Sequence, residues 1–542
     1  MPAQATSGST TLFAPERDTI VSSASERKLS LEWTLGHLAV ALCCRPARGE
    51  VASCAAQSVL PTARSKMPTL LASVQRFVAA HPAIFPPYVP NTANHVMWTL
   101  LFALVWPALL PLTLLDYLLR SLRPKPRPPT PLTTSLVGQL DGNWDSKGGY
   151  RAGVGHYAAV WTRDSFFALM APLSDRAQRL AAFADRLQRE TDSSGHVPFM
   201  WYEVCYTRPV SHLHAPPHTY PTPTPQTWFI PSLIMRRAVR RAHPHPCYLD
   251  EKHGQPVMDA NSQYVILVAE AFALSGDAHW LRMHAASVVR AMEWFEPYTR
   301  DDGLVVERAF GGWEDSLLLN GTSAYTNMLR LEALQRADVV LSALGEPAQF
   351  AAAAAKARTP LMALLSRVPD TVTVACAALW AVDPCIPGLM AKMVRSYPPT
   401  LVPNRWPPAP WDMAAMGLHL VGIGGYHRTF RWAWVGCIWA AALEHASKQA
   451  TSRGDRQQAG ELRAAAVHTL DKYEAIFRRD GTLHEVFQPE TELPVARPLY
   501  NAEPSFSEAI GTFLTAMKCV HGRGPAEFGE GAATAANGEW EG

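Results

Sequence analysis

The sequence lacks a strong charge of either sign. Its 542 residues include 49 Lys and Arg against 47 Asp and Glu, which gives a formal net charge of +2 at pH 7. Proteins that bind nucleic acid usually concentrate basic residues on one face, whereas Lys and Arg are scattered here apart from short clusters. We therefore expect no nucleic-acid partner.

The sequence also lacks a cysteine pattern that would indicate a zinc site or a dense disulfide framework. Its nine cysteines are spread thinly, and Cys43 and Cys44 form the only close pair, although both kinds of site need regular spacings. The 17 Trp, 15 Tyr and 19 Phe are more informative, because aromatic rings stack on the apolar faces of sugars. Core packing also uses such rings.

The N-terminal region 1–95 has no pattern typical of a folded domain. It begins with many Ser, Thr and Ala residues, and its apolar run Leu31–Cys44 lacks the charge arrangement and the cleavage site of a secretory signal. We expect this region to be largely disordered or irregular.

A long apolar stretch, Met97–Leu119, lies within the next segment, 96–120. About 23 residues suffice to cross a hydrocarbon layer of about 30 Å, and Asp116 is the only charged residue. We predict a single membrane-spanning helix in contact with the lipid bilayer; the alternative is an apolar hairpin or a buried first helix of the next domain. The basic, Pro-rich linker 121–131 favours the cytosol for the following domain, because positive loops stay inside.

From residue 132 to residue 522 the sequence predicts an all-α domain. Apolar residues recur there with a spacing near 3.6, and strand signals are few and short. Helices that alternate with functional loops are typical of an (α/α)6 toroid, where helical hairpins surround a cavity and loops at one rim carry the chemistry. The tail 523–542, rich in Gly, Ala and Glu, is predicted to be disordered. The predicted helical segments are 166–190, 259–276, 279–298, 324–345, 347–367, 430–449, 456–478 and 504–520.

Two motifs place carboxylates at helix entrances. The segment WTRDS, residues 161–165, puts Arg163 beside Asp164, and Asp259 begins another helical pattern. An Asp in this position is often a simple helix cap, and Arg163 can merely pair with it. An Asp that accepts and an Arg that donates are, however, also the usual ligands of sugar hydroxyls.

Two further loops carry candidate catalytic acids. In the segment GGWEDS, residues 311–316, Glu314 and Asp315 follow Trp313. Desolvation beside an apolar ring raises the pKa of a carboxyl, as a proton donor at neutral pH requires. The alternative is a solvated acid pair at a helix start. The segment LHEVFQPETE, residues 483–492, supplies Glu485.

Taken in this order, the motifs resemble those of the six-hairpin (α/α toroid) glycosidases, most of all glucoamylases, with similarities to processing α-glucosidases, trehalases and neutral invertases. WTRDS is similar to the glucoamylase segment that holds the terminal glucose. GGWEDSLLLNGTSAYTN resembles the loop whose first Glu is the general acid, which selects Glu314, whereas the Asp of processing α-glucosidases favours Asp315. HEVFQPETE resembles the segment with the catalytic base, which selects Glu485.

The resemblance covers about residues 140–520 and implies a glycoside hydrolase that acts on an α-glucoside or a related small saccharide with inversion. Glu314 or Asp315 would protonate the glycosidic oxygen while Glu485 activates a water. This chemistry needs no metal or other cofactor. The residues that the resemblance and the motifs assign to substrate binding are Trp161, Arg163, Asp164, Asp259, Trp313, Tyr325, His427 and Trp434.

Alternatives stay open at this point. A carbohydrate-binding pseudoenzyme would keep the aromatic residues and Asp164 but tolerate the loss of a catalytic carboxylate. A membrane scaffold built from a degenerate toroid would have no reason to keep WTRDS together with GGWED. Among hydrolases, invertase-like or trehalase-like cleavage of a disaccharide competes with α-glucosidase action.

Overall fold

The computed structural model describes residues 135–524 with internal gaps. The predicted N-terminal region, the predicted membrane span, the linker and most of the predicted C-terminal tail lie outside the described residues. Among the helices that are described, none is both long enough and apolar enough to cross a membrane. The gaps are 154–156, 158, 203–244, 249–255, 308–311, 316–320, 368, 381–382, 399, 409–422 and 498–499.

Helices dominate the described part of the chain, which confirms the predicted mostly helical fold. The described helices are α1 (Leu136–Asn143), α2 (Thr162–Ala168), α3 (Arg176–Glu190), α4 (Asp259–Ser275), α5 (Ala278–Glu293), α6 (Ala324–Ala343), α7 (Ala351–Arg367), α8 (Thr371–Trp380), α9 (Ile386–Ser396), α10 (Ala433–Ser452), α11 (Arg456–Asp480) and α12 (Ser507–His521).

The even-numbered helices form a closed inner ring. Helix α2 packs on α4, α4 on α6, α6 on α8, α8 on α10, α10 on α12, and α12 returns to α2. The odd-numbered helices pack on the outside of this ring, for example α3 on α4, α7 on α6 and α11 on α10. This alternation of inner and outer helices is the predicted (α/α)6 toroid.

Burial patterns explain which helices lie inside. Helix α10 is buried without interruption from Ala433 to Glu444, as a helix that is covered on all sides must be. Helix α3 instead buries one stripe, which includes Leu180, Phe183 and Leu187. That spacing of three and four residues is typical of a helix with one face in water.

Short strands gather before the inner helices. β1 (Val160–Trp161), β2 (Met200–Tyr202) and β3 (His245–Cys247) form an antiparallel sheet, β4 (Arg431–Trp432) pairs with β5 (Val486–Phe487), and β6 (Ala496–Arg497) pairs with β7 (Tyr500–Asn501). β1 runs directly into α2 and β4 directly into α10. The strands therefore belong to the rim at the N-terminal ends of the inner helices.

Some predicted helix bounds differ from the structure. The segment 166–190 forms two helices, α2 and α3, with Pro172 between them, since Pro lacks the N–H that a helix interior needs. The segment 430–449 becomes helical only at Ala433, because the two residues before it pair as strand β4. Helix α8 was not predicted, since it is buried throughout most of its length and shows no amphipathic period.

Candidate active site

The first turns of the inner helices bring charged and polar side chains to one rim. Helix α2 supplies Arg163 and Asp164, α4 supplies Asp259, α6 supplies Tyr325, and α12 supplies Glu508. The N-terminal end of a helix carries a partial positive charge, which favours nearby carboxylates. The closed ring thus collects acidic residues that are far apart in the sequence.

Glu485 is fully buried and is held by tyrosine hydroxyls. Tyr426 donates a hydrogen bond to its Oε1, and Tyr500 donates to its Oε2 at 2.6 Å. The hydroxyl of Tyr157 lies 2.6 Å from that of Tyr426. Because the Tyr426 hydrogen is committed to Glu485, Tyr157 is the donor in this second contact. The three phenols and the carboxylate form one chain of hydrogen bonds.

The protonation of these phenols follows from burial. Burial, followed by the charge of Glu485, raises the pKa of Tyr157, Tyr426 and Tyr500 well above its ordinary value. All three hydroxyls therefore keep their hydrogens at neutral pH. The main chain fixes Glu485 as well, since its carbonyl accepts from the N–H of Ala433 at 3.1 Å.

Asp164 shares the electrostatic environment of Glu485. Its side chain is nearly buried, and this burial is the main reason that its pKa rises to about 7. Arg163 opposes the rise, while the charges of Glu485 and Asp315 add to it. At neutral pH the Asp164 carboxyl can therefore both donate and accept hydrogen bonds.

Arg163 is held by Asp259. Its Nε donates to Oδ2 of Asp259 at 2.6 Å, and the hydroxyl of Tyr325 donates to the same oxygen at 3.4 Å. Asp259 is 1% exposed, whereas the Arg163 side chain is 15% exposed. Asp259 and Tyr325 thus position the guanidinium, and Arg163 is the member of this group with an exposed surface.

Glu314 lies near a different set of charged residues from Glu485. Nη2 of Arg405 donates to its Oε2, and Asp370 and Glu307 are the other charges that act on it. Burial raises the pKa of Glu314 to about 7 although Arg405 opposes the rise. None of these three neighbours was predicted from the sequence.

Asp315 faces different neighbours from the adjacent Glu314. Its side chain is 30% exposed, and one oxygen lies 3.8 Å from Nδ1 of His427. Its charge contributes to the raised pKa values of Asp164 and Tyr157, and both of these groups also respond to Glu485. Asp315 therefore shares neighbours with Glu485, whereas Glu314 is engaged by Arg405.

Most of the predicted aromatic residues are buried. Trp313 is 4% exposed, and its ring packs edge-on against His427 at 5.4 Å and Trp434 at 5.2 Å. His427 stacks on Trp432 at 4.9 Å. Protein covers these rings, and together they support the loop that carries Glu314 and Asp315. Trp161 is partly exposed at the start of α2.

Several residues of the rim were not predicted as site residues from the sequence. Glu508 lies 23 residues after Glu485, in the first turn of α12. Tyr426 lies next to His427 in the segment GGYHRTF. These positions could have drawn attention, since helix starts and motif neighbours are usual places for ligands. Arg405 lies in no recognisable motif.

No protein-family model and no curated protein matches the chain. Solved structures similar to it include a GH63 mannosylglycerate hydrolase from Thermus thermophilus, with 14% identity, a TM-score of 0.47, and coverage of 70% of this chain and 98% of that chain. A glucoamylase from Hormoconis resinae has 11% identity, a TM-score of 0.47, and coverage of 73% and 74%.

A glucoamylase from Hypocrea jecorina is also similar, with 12% identity, a TM-score of 0.43, and coverage of 74% of this chain and 73% of that chain. Glucoamylases, which the sequence motifs resemble most, are thus among the solved structures similar to this chain.

Proposed function

We propose that the chain is a glycoside hydrolase that cleaves an α-glucoside or a related small saccharide with inversion. The observation that supports this most strongly is the cluster of acidic side chains at the rim. Glu485 accepts hydrogen bonds from two tyrosines. The charges of Glu485 and Asp315 both raise the pKa of Asp164. Stability alone would favour a cation for each buried carboxylate.

In the proposed reaction Asp315 is the general acid and Glu485 is the general base. The bond between the anomeric carbon and the glycosidic oxygen breaks, and that oxygen takes the proton of Asp315. A water attacks the anomeric carbon from the opposite face and gives its proton to Glu485. Inversion by this route requires carboxyl groups separated by about 6.5–9.5 Å. Arg163 and Asp164 would bind hydroxyls of the sugar, and Trp161 would stack on its ring.

We favour Asp315 over Glu314 as the acid on geometric grounds. The motif resemblance selects Glu314, whose pKa of about 7 would suit a proton donor. A general acid must, however, first reach the leaving oxygen. Oε2 of Glu314 already accepts a hydrogen bond from Arg405, whereas the Asp315 side chain is 30% exposed, and its charge acts on Asp164 and Tyr157 as that of Glu485 does.

The test compares Asp315→Asn with Glu314→Gln on two kinds of substrate. A screen of maltose, trehalose, sucrose and oligosaccharides first identifies the substrate of the full chain. We expect Asp315→Asn to lower kcat/KM on it by about 10²–10⁴-fold. An aryl glycoside with a good leaving group needs little protonation, so its hydrolysis should fall far less.

Glu314→Gln is the matched control, because it removes a carboxylate from the same loop. We expect it to affect both kinds of substrate equally. If Glu314→Gln instead spares only the aryl glycoside, Glu314 is the acid. If the wild-type chain hydrolyses none of these saccharides, or if the first product seen by NMR retains its anomeric configuration, the proposed reaction is wrong.

One observation favours a second candidate, a carbohydrate-binding protein without catalysis. Glu485 is fully buried, and a general base has to contact a water. Such a protein would bind a monosaccharide in a calorimetric titration and release no product. Turnover by the wild-type chain that Glu485→Gln abolishes would exclude it.

Membrane attachment also remains a proposal, since the predicted span lies outside the described residues. The charges beside the span favour a cytosolic domain. Protease treatment of sealed vesicles from the native membrane fraction would test which side the domain occupies, because a protease added outside reaches only a domain on that side.

A further inference from the structure

Glu508 is a buried carboxyl for which the proposed reaction has no role. It lies in the first turn of α12 and is 2% exposed. Its Oε1 has no hydrogen-bond partner among the described residues. A buried, unsatisfied oxygen destabilises a fold, so its presence calls for an explanation.

Close packing of two helices sets the position of Glu508. A Cβ at Gly511 would overlap the backbone of Ala168, so the absence of a side chain there lets α12 approach α2 closely. Glu508 lies three residues before Gly511, and Asp164 lies four residues before Ala168. One helical turn separates each acid from the contact, and both acids lie in the first turn of their helix. The contact thus brings the two carboxyls into the same part of the rim.

The charges that act on Glu508 come from two other inner helices, α2 and α4, and from the Glu485 loop. Burial raises the pKa of Glu508 well above its ordinary value, and the charge of Asp164 is the next largest cause. Arg163 opposes this rise, while Asp259 and Glu485 add to it. Arg163 is already bonded to Asp259, so its single positive charge does not also neutralise both Asp164 and Glu508. Burial and the neighbouring acids thus favour the protonated form of the Glu508 carboxyl.

We propose that Glu508 is a substrate-binding residue whose protonated carboxyl donates a hydrogen bond to a sugar hydroxyl adjacent to the one bound by Asp164 and Arg163. This inference rests on the proposed function and adds a substrate requirement to it. Together, Asp164, Arg163 and Glu508 would select sugar rings that carry two neighbouring free hydroxyl groups. A protonated carboxyl suits this task, because it can donate to one oxygen and accept from another.

The first test combines stability with activity in Glu508→Met and Glu508→Gln. Met removes an unsatisfied buried carboxyl and keeps a similar volume, so we expect Tm to rise by a few degrees. The same variant should lower kcat/KM about 10–100-fold, since the substrate loses a hydrogen-bond donor. Gln keeps an N–H donor, and its kcat/KM should lie between those of Glu508→Met and the wild type.

Glu332→Met is the matched control. Glu332 is 3% exposed on inner helix α6, but it accepts a hydrogen bond from Arg336 at 2.6 Å. This substitution should lower Tm and leave kcat/KM within about twofold, because it breaks a structural pair. If Glu508→Met behaves in the same way, Glu508 has a structural role and the proposal is wrong.

The second test uses monodeoxy analogues of the substrate. We expect the wild type to discriminate against one analogue, and Glu508→Met to lose that discrimination, since the partner of the missing hydroxyl is gone. Unchanged discrimination at every hydroxyl would contradict the proposal. If the wild type turns over no saccharide, the proposed function fails. Calorimetric binding of glucose and its monodeoxy forms to both proteins then tests Glu508 without turnover.

Discussion

Glu474 and Glu508 are both buried glutamates, but their surroundings differ. Glu474, on the outer helix α11, accepts hydrogen bonds from Arg478 at 2.7 Å and from Arg523 at 2.9 Å. Burial alone would raise its pKa, but these arginines outweigh burial and hold the pKa of Glu474 below its ordinary value. Glu508, at the inner rim, has no such partner for Oε1 among the described residues, and its pKa rises.

Arginine partners for buried glutamates recur elsewhere in the described chain. Glu444 pairs with Arg463, and Glu332 pairs with Arg336. At the rim, Asp164, Glu485 and Glu508 all influence one another. An unpaired buried charge costs stability, and arginines stabilise the acids of these helices. At the rim, Asp164, Asp259 and Glu508 share a single arginine, Arg163, and the proposed reaction would account for this excess of acids.

The largest difference in kcat between a substitution at the inner rim and one on the outer helices should come from Glu485→Gln. Glutamine keeps the size of the side chain but cannot take a proton from water. We expect kcat to fall by about 10³-fold, within the usual range for a general base, with a cooperative thermal transition retained. Glu474→Gln makes the same chemical change on the outer helix and should leave kcat within about twofold. Equal losses in both variants would remove the distinction between rim and scaffold.

The second effect concerns how stability depends on pH. Glu307 is 3% exposed, and burial raises its pKa from 4.5 to about 7, although the hydroxyl of Thr326 donates to it. Between these pH values the unfolded chain releases a proton that the folded chain retains. The free energy of unfolding therefore falls as pH rises from about 4.5 to 7, by up to about 3 kcal/mol.

Glu307→Gln should remove this contribution. Urea unfolding at pH 5 and pH 8 measures it: wild type and variant should differ more at pH 8, where the variant gains stability relative to wild type. A difference that does not change with pH would mean that Glu307 titrates normally.

The smallest effect on the free energy of unfolding should come from Glu474→Gln. At neutral pH this substitution should destabilise the fold, whereas Glu307→Gln should stabilise it. Because the folded-state pKa of Glu474 is lowered, its ion pairs stabilise the fold above the ordinary pKa of a glutamate, and this stability is lost as pH falls. We expect the variant to lose about 1 kcal/mol at pH 7 and almost nothing at pH 3. Urea unfolding in low and high salt checks the electrostatic origin, since salt should shrink the loss at pH 7. Stabilisation of the variant at pH 7 would contradict the contrast with Glu307.

Much of the helical architecture was predictable because its signals are local. Asp277 accepts hydrogen bonds from the N–H groups of His279 and Trp280 and so caps α5, and Gly276 ends α4 in a left-handed conformation. Both residue types are strong signals of helix ends. The buried helix α8 was not predicted, because an evenly apolar segment shows no helical periodicity of apolar and polar residues.

The sequence by itself determined the helical class, the positions of most helices, and the acidic motifs at their starts, since periodicity and caps depend on neighbouring residues. Only the tertiary structure decided which acids share neighbours. Arg405 reaches Glu314 across 91 positions, and Tyr426 reaches Glu485 across 59. Closing the ring brings α12 against α2 and so puts Glu508 near Asp164. Such pairings depend on how helices pack in space, and desolvation, which sets the pKa values of the site, arises only when the ring has closed.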